Sequence, residues 1–123
     1  MRASNILTII FPLMAHAALN GRCTGSAADG VWGESGICIR TSTCRSYGGI
    51  SKQGACPYDA DDVRCCVIGR GGNAANDPCG PVSWCDWTSA GNACQSVGGI
   101  FDPGHCPGGS NFQCCRNYPG KKE

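Results

Sequence analysis

Val63-Arg64-Cys65-Cys66-Val67 and Asn111-Phe112-Gln113-Cys114-Cys115-Arg116 are two short runs that each hold an adjacent pair of cysteines. Side chains alternate along a strand, so neighbouring cysteines on one strand point to opposite faces and tie it to two different layers. Each pair closes a set of six: Cys23, Cys38, Cys44, Cys56, Cys65 and Cys66, then Cys79, Cys85, Cys94, Cys106, Cys114 and Cys115. Eleven residues separate the third and fourth cysteines in both sets. They carry Ser46-Tyr47-Gly48-Gly49-Ile50 in one and Ser96-Val97-Gly98-Gly99-Ile100 in the other, and Pro57 and Pro107 follow the fourth cysteines. A doubled six-cysteine cassette in 123 residues predicts two tandem disulfide-stapled modules and an oxidising destination.

Export is expected from the other end of the chain. Arg2 and an apolar run from Ile6 to Met14, closed by Ala15-His16-Ala17, fit a secretory signal peptide over residues 1–17. The run is too short for a membrane helix, and Pro12 interrupts it. Its removal takes Arg2 away and leaves nine Lys+Arg against nine Asp+Glu. That balance argues against nucleic acid and anionic membrane as partners, since both favour clustered Lys and Arg, and no later apolar stretch is long enough for membrane insertion. Each cassette is so small that apolar burial alone rarely offsets chain entropy, and cross-links at roughly 2–4 kcal/mol each must supply the difference.

The expected organisation is module 1 over 18–68, a linker over 69–78, module 2 over 79–116 and a fraying tail over 117–123. The linker reading rests on Gly69-Arg70-Gly71-Gly72-Asn73-Ala74-Ala75-Asn76-Asp77-Pro78, whose composition favours flexibility and leaves both independent tumbling and docking of the modules open. Glycine and proline punctuate both modules every few residues. The fold class is therefore small, disulfide-rich and mainly β, with short antiparallel sheets and at most short helical turns. Strands are expected over 36–40, 54–56 and 63–67, then over 104–106 and 111–116. Helical turns are expected over 41–44, capped by Thr41 or Ser42, and over 88–95.

The run from Gly36-Ile37-Cys38 through Thr43-Cys44, Gly54-Ala55-Cys56-Pro57 and Val63-Arg64-Cys65-Cys66 resembles β-defensin and arthropod clip-type frameworks. Carried over by position, their pairing order implies Cys23–Cys65, Cys38–Cys56 and Cys44–Cys66, and in the second module Cys79–Cys114, Cys85–Cys106 and Cys94–Cys115. The first spacings depart from each other, fourteen residues between Cys23 and Cys38 against five between Cys79 and Cys85. Cys106-Pro107-Gly108-Gly109-Ser110-Asn111-Phe112-Gln113-Cys114-Cys115 is similar to the ending of repeats in fungal small secreted cysteine-rich proteins. Similar cassettes accompany fungal secreted peptidoglycan-degrading enzymes, which implies attachment to a wall or surface.

Chemistry is sparse. No C-x-x-C occurs and His105 is the sole histidine after residue 17, so neither zinc nor dithiol redox spacing is present, and no metal or cofactor is expected. No G-x-S-x-G surrounds a serine, and Glu34 is the one glutamate before the tail. A glycosidase needs carboxylates roughly 5–9.5 Å apart across a cleft, which a stapled module of this size has little room to build. Catalysis is not expected. Asp59, Asp61 and Asp62 form an acidic turn without the glycine and closing glutamate of a calcium loop, whereas 107–111 has no carboxylate. That difference is expected to distinguish the partners of the two modules.

Aromatic residues are the functional lead. Trp84, Asp86 and Trp87 flank Cys85, and Trp32 and Tyr58 lie in the first module. A tryptophan displayed beside Asp or Asn stacks on a sugar or fills a protein pocket; the alternative is that Trp84 or Trp87 covers a disulfide core. The expected function is a secreted, monomeric, effector-type protein binding an extracellular glycan or a host protein at a cell surface. The alternatives are a defensin-like antimicrobial, disfavoured by the near-zero charge, and a protease inhibitor. No N-x-S/T sequon follows residue 17, so no conventional N-glycan is expected.

Overall fold

A computed structural model describes residues 19–57, 59–70, 77–89 and 91–117. The expected signal segment, residues 71–76 of the expected linker, Tyr58 and most of the expected tail lie outside the described residues.

In chain order the elements are α1 (Val31–Ser35), β1 (Ile37–Arg40), α2 (Thr41–Ser46), β2 (Ile50–Lys52), β3 (Val63–Val67), β4 (Ser83–Trp87), α3 (Ala93–Ser96), β5 (Ile100–Asp102) and β6 (Phe112–Arg116). They form two three-stranded antiparallel sheets, ordered β1-β3-β2 and β4-β6-β5. The molecule is thus small, mainly β and rich in disulfides. Each sheet is centred on the strand with the double cysteine, and the two registers match: Cys38 faces Cys65 as Cys85 faces Cys114, and Ser51 faces Cys66 as Phe101 faces Cys115.

The six bonds join Cys23–Cys65, Cys38–Cys56, Cys44–Cys66, Cys79–Cys114, Cys85–Cys106 and Cys94–Cys115. This is the order implied by the framework resemblance. Neighbouring cysteines reach different layers, as strand alternation requires: Cys66 holds α2 while Cys65 holds the segment before α1. Every bond stays within its own sheet's set of six.

The repeated Gly-Gly phrase has a geometric cause. Gly48 and Gly98 end α2 and α3 with φ of 74° and 73°. The next amides, of Gly49 and Gly99, donate back to the carbonyls of Cys44 and Cys94 at 2.9 Å, a Schellman closure. A Cβ on Gly49 would stand 2.7 Å from Cys66 Sγ, and one on Gly99 2.5 Å from Cys115 Sγ. One glycine turns the chain and the next lets it lie against a disulfide.

Several expectations are corrected. Residues 54–56 and 104–106 are turns, with φ of 94° at Gly54 and 90° at Gly104, and the third strands lie earlier at β2 and β5. The helical turn expected over 88–95 is the shorter α3, whose cap is Asn92, its side chain accepting from the Gln95 amide. Arg40, with no side-chain cap, precedes α2, where Thr41 or Ser42 was expected to cap. Helix α1 was not anticipated, and Ser83–Trp87 is a strand paired along β6.

The two halves, whose docking the sequence leaves open, pack against each other. One core runs through both sheets, built of Ile37, Ile39, Cys44, Cys66 and Ile68 with Cys85, Trp87 and Phe112. The Trp87 and Phe112 ring centroids are 4.6 Å apart. Backbone pairing continues across the seam, where the Cys85 amide donates to the Ile68 carbonyl at 3.0 Å. Gly69, at the head of the expected linker, lies so close to β4 that an added Cβ would meet Ser83 O at 2.5 Å. Linker composition is indifferent to such a fit, which depends on the shapes of the two surfaces.

Candidate functional site: the cleft at the seam between the sheets

Strand β4 is buried along its whole length. Trp84 and Trp87 are three residues apart and so face opposite sides of the sheet, yet they are only 9 % and 4 % exposed, and Asp86 between them is 0 % exposed. Trp87 points into the shared core, and its Nε1–H donates to the Gly36 carbonyl at 3.0 Å. Trp84 packs on Cys94 and Cys115 with Ala93 and Phe101. The expected display of Trp84, Asp86 and Trp87 is therefore corrected. The reading in which these tryptophans cover a disulfide core describes them, because the first sheet's side chains close the face left open in sequence.

Asp86 accepts four hydrogen bonds. The Ser35 hydroxyl (3.0 Å) and the Trp87 amide (2.9 Å) donate to Oδ1, and Trp84 Nε1–H (3.3 Å) and the Cys94 amide (3.0 Å) donate to Oδ2. A buried carboxylate is tolerated where its lone pairs are met in this way. The network leaves the core through Arg70, whose Nη1 donates to Ser35 Oγ at 2.8 Å and to Glu34 Oε1 at 3.0 Å. The Arg70 guanidinium also lies over Trp84, 5.4 Å from the ring centroid. Arg22 repeats the arrangement over Trp87 at 5.2 Å, with Nη2 donating to Ser89 Oγ at 2.6 Å. Arg22 comes from the first module and Arg70 from the segment just after it, while both rings come from the second, so two cation–π contacts clasp the seam.

Beside the clasp lies a cleft of about 710 Å³. One side is lined by Arg22, by Gly30, Gly33 and Glu34 at α1, and by Arg70 just after the first module. The other is lined by Trp84 and the segment around α3, with Ala93, Ser96 and Val97. Val97 is an exposed apolar side chain at 47 %. Asn92 also lines the cleft, but its amide is engaged in capping, Oδ1 accepting from Gln95 N and Nδ2 donating to Ser89 O. The volume falls within the few hundred to about 1,000 Å³ typical of small-molecule sites.

Of the described residues expected to bind, only Trp84 lines this cleft. Trp32 is half-buried against the first half's cluster of Cys23, Cys38, Ala55, Cys56, Val63 and Cys65, with Lys52 Nζ 5.6 Å from its ring centroid. Tyr58 lies outside the described residues. Arg22, Glu34 and Arg70 were missed as site residues: a lone arginine in a glycine-rich segment carries no sequence signal of the ring it will cover.

The other candidates are surface features. Asp62 pairs with Arg40 at 3.5 Å, and the Arg64 Nε–H donates to the Asp61 carbonyl at 3.2 Å. His105 Nε2 lies 3.4 Å from an Asp102 oxygen that also accepts from Arg116. Among the described residues the one cluster with metal-ligand spacing is Cys23, Cys38 and Cys56, and all three sulfurs are in disulfide bonds.

The chain is 40 % identical over 99 residues to an uncharacterized secreted protein of the fungus Arthroderma benhamiae. The match covers 80 % of this chain and 33 % of the relative, so the chain spans about a third of that curated relative's length. No protein-family model matches the chain, and no solved structure does. Among the described residues no helix is long and apolar enough to cross a membrane. Like its fungal relative, this is a secreted protein, cross-linked by six disulfides.

Proposed function

We propose that the protein is a non-catalytic, effector-type binding protein, built on a doubled cysteine cassette, that engages an extracellular surface component through the cleft at its seam. The observation that carries this reading is the clasp itself. Two arginines, each with its guanidinium over an indole ring, an exposed carboxylate and apolar side chains line one concave surface. Convergent polar groups around a partly apolar hollow are what a binding site requires. Among the described residues lining the cleft, Glu34 is the one carboxylate and there is no histidine, which favours binding over hydrolysis. Similarity to cassettes that accompany wall-degrading enzymes makes a wall component the first ligand to try.

The test is retention of the oxidised protein on chitin, β-glucan, peptidoglycan and whole fungal and plant walls, beside a microbial growth assay. Wild type is expected to be retained on at least one, and Ser96→Trp, which fills the cleft from an exposed position, to lose most of that retention. Equal retention of the two proteins would place binding elsewhere. Growth inhibition without retention would favour the antimicrobial reading.

A further inference from the structure

We propose that the cleft recognises the carboxylate of an acidic sugar, one uronate-type unit of an extracellular glycan; this rests on the cleft being the binding site. A neutral sugar is usually gripped by an open aromatic face, but Trp84 and Trp87 are nearly buried and each carries a guanidinium over its ring. The ligand therefore meets arginine rather than indole.

A guanidinium has five N–H donors. Arg70 directs Nη1 to Glu34 and Ser35, and Arg22 directs Nη2 to Ser89, so both retain N–H groups for a ligand. Among the described residues no carboxylate pairs with Arg22. Its stacking on Trp87 and its bond to Ser89 already restrict its motion, so less freedom is lost when it grips a planar acid. The ligand group that matches is a carboxylate.

Glu34 decides what carries that carboxylate. It is exposed, with Oε1 on Arg70, and offers further acceptor capacity toward the cleft. An acceptor suits a hydroxyl and opposes a second negative charge, so a hydroxylated monoacid unit fits better than a run of acidic peptide side chains. Ala93 and Val97 provide an apolar wall for the C–H face of a sugar ring. The charge balance of nine cations against nine anions after residue 17 leaves no broad positive field to gather polyanions, so recognition is short-range.

The experiment is a set of amide and arginine Nε–H chemical-shift titrations of the oxidised protein. The probes are trigalacturonate, a neutral galactose trimer and pentaglutamate. Trigalacturonate is expected to move signals of Ala93, Ser96 and Val97 and of the Arg22 and Arg70 side chains, and the other probes to bind at least tenfold more weakly. Arg22→Gln should weaken uronate binding by tenfold or more, Arg45→Gln, remote from the cleft, should leave it unchanged, and Glu34→Gln should narrow the discrimination against pentaglutamate. Spectra of each variant matching wild type away from the substitution establish that it is folded. Equal binding of the neutral trimer, preference for pentaglutamate, or no binding of any probe would each overturn the proposal. Should Ser96→Trp abolish wall retention while wild type binds no uronate, the uronate reading falls and the cleft reading stands. Uronate shifts that persist in Ser96→Trp would overturn both.

Discussion

Asp86 stands in the second sheet where Ile39 stands in the first, each next to a cysteine that pairs across to the central strand. One register position thus holds a core hydrophobe in one copy and a carboxylate in the other. The carboxylate is kept because four donors, one of them from the opposite half, are aimed at it. Asp86→Ala would leave those donors buried and unpaired, and about 3–5 kcal/mol of stability should be lost. Guanidinium unfolding of the oxidised protein, followed by tryptophan fluorescence, measures this directly. A change below about 1 kcal/mol would mean that water replaces the carboxylate. Asp29 is a contrasting case at the surface. The hydrogen bond from Lys52, then one from its own backbone and the Lys52 charge, hold its carboxyl below the ordinary carboxylate value of 3.8. A depressed folded pKa means that the Asp29 contribution is present above the unfolded pKa and is lost as pH falls through the folded one. Lys52→Met should raise the Asp29 pKa toward the ordinary value in a carboxyl NMR titration, and an unmoved pKa would refute the assignment of cause.

At the scale of elements, α2 and α3 each end in a left-handed glycine and are bonded to the central strand of their sheet. The second glycine admits no side chain without displacing sulfur. Gly99→Ala should cost about 1–3 kcal/mol through overpacking and should lower the yield of the native Cys94–Cys115 bond on oxidative refolding. Peptide mapping of the refolded mixture checks this, and an undiminished yield of that bond would show that the strand shifts to make room. These glycines are legible in the sequence as a repeated phrase, although the sulfur that requires the second of them is not. The central strands are legible too, because β-branched or aromatic residues flank a double cysteine. The edge strands β2 and β5 are misplaced by sequence reading toward the fourth cysteine. At Gly54 and Gly104 the chain needs a left-handed turn before the cysteine can reach its partner, and that need arises from the bridge rather than from local propensity.

At the scale of the whole molecule, six bonds staple two halves and none joins them, so the relation between the halves rests on the shared core, the hydrogen bonds across the seam and the arginine clasp. Backbone 15N relaxation should therefore give one rotational correlation time for both sheets. Gly69→Val should break the fit, since an added Cβ meets Ser83 O at 2.5 Å and Trp84 Cα at 2.7 Å at a φ of 87°. The expected outcome is two shorter correlation times and red-shifted tryptophan emission as Trp84 and Trp87 become wetted. A single unchanged time in the variant would show that the seam tolerates the strain.

The sequence by itself determined the two sets of six cysteines, the central strands, the repeated Gly-Gly phrase and the secreted destination, and the pairing order came with the framework resemblance. Strand alternation is local and sends neighbouring cysteines to opposite faces, so the double cysteines mark the central strands without any knowledge of the rest of the fold. The tertiary structure alone decided that the halves dock, that Trp84, Asp86 and Trp87 are internal, and that Arg22, Glu34 and Arg70 border a cleft. Those outcomes depend on contacts such as Ser35 to Asp86, 51 residues apart, where two surfaces must match in shape and hydrogen bonding at once. No local pattern encodes such a match, because each surface reads as ordinary until the other is placed against it.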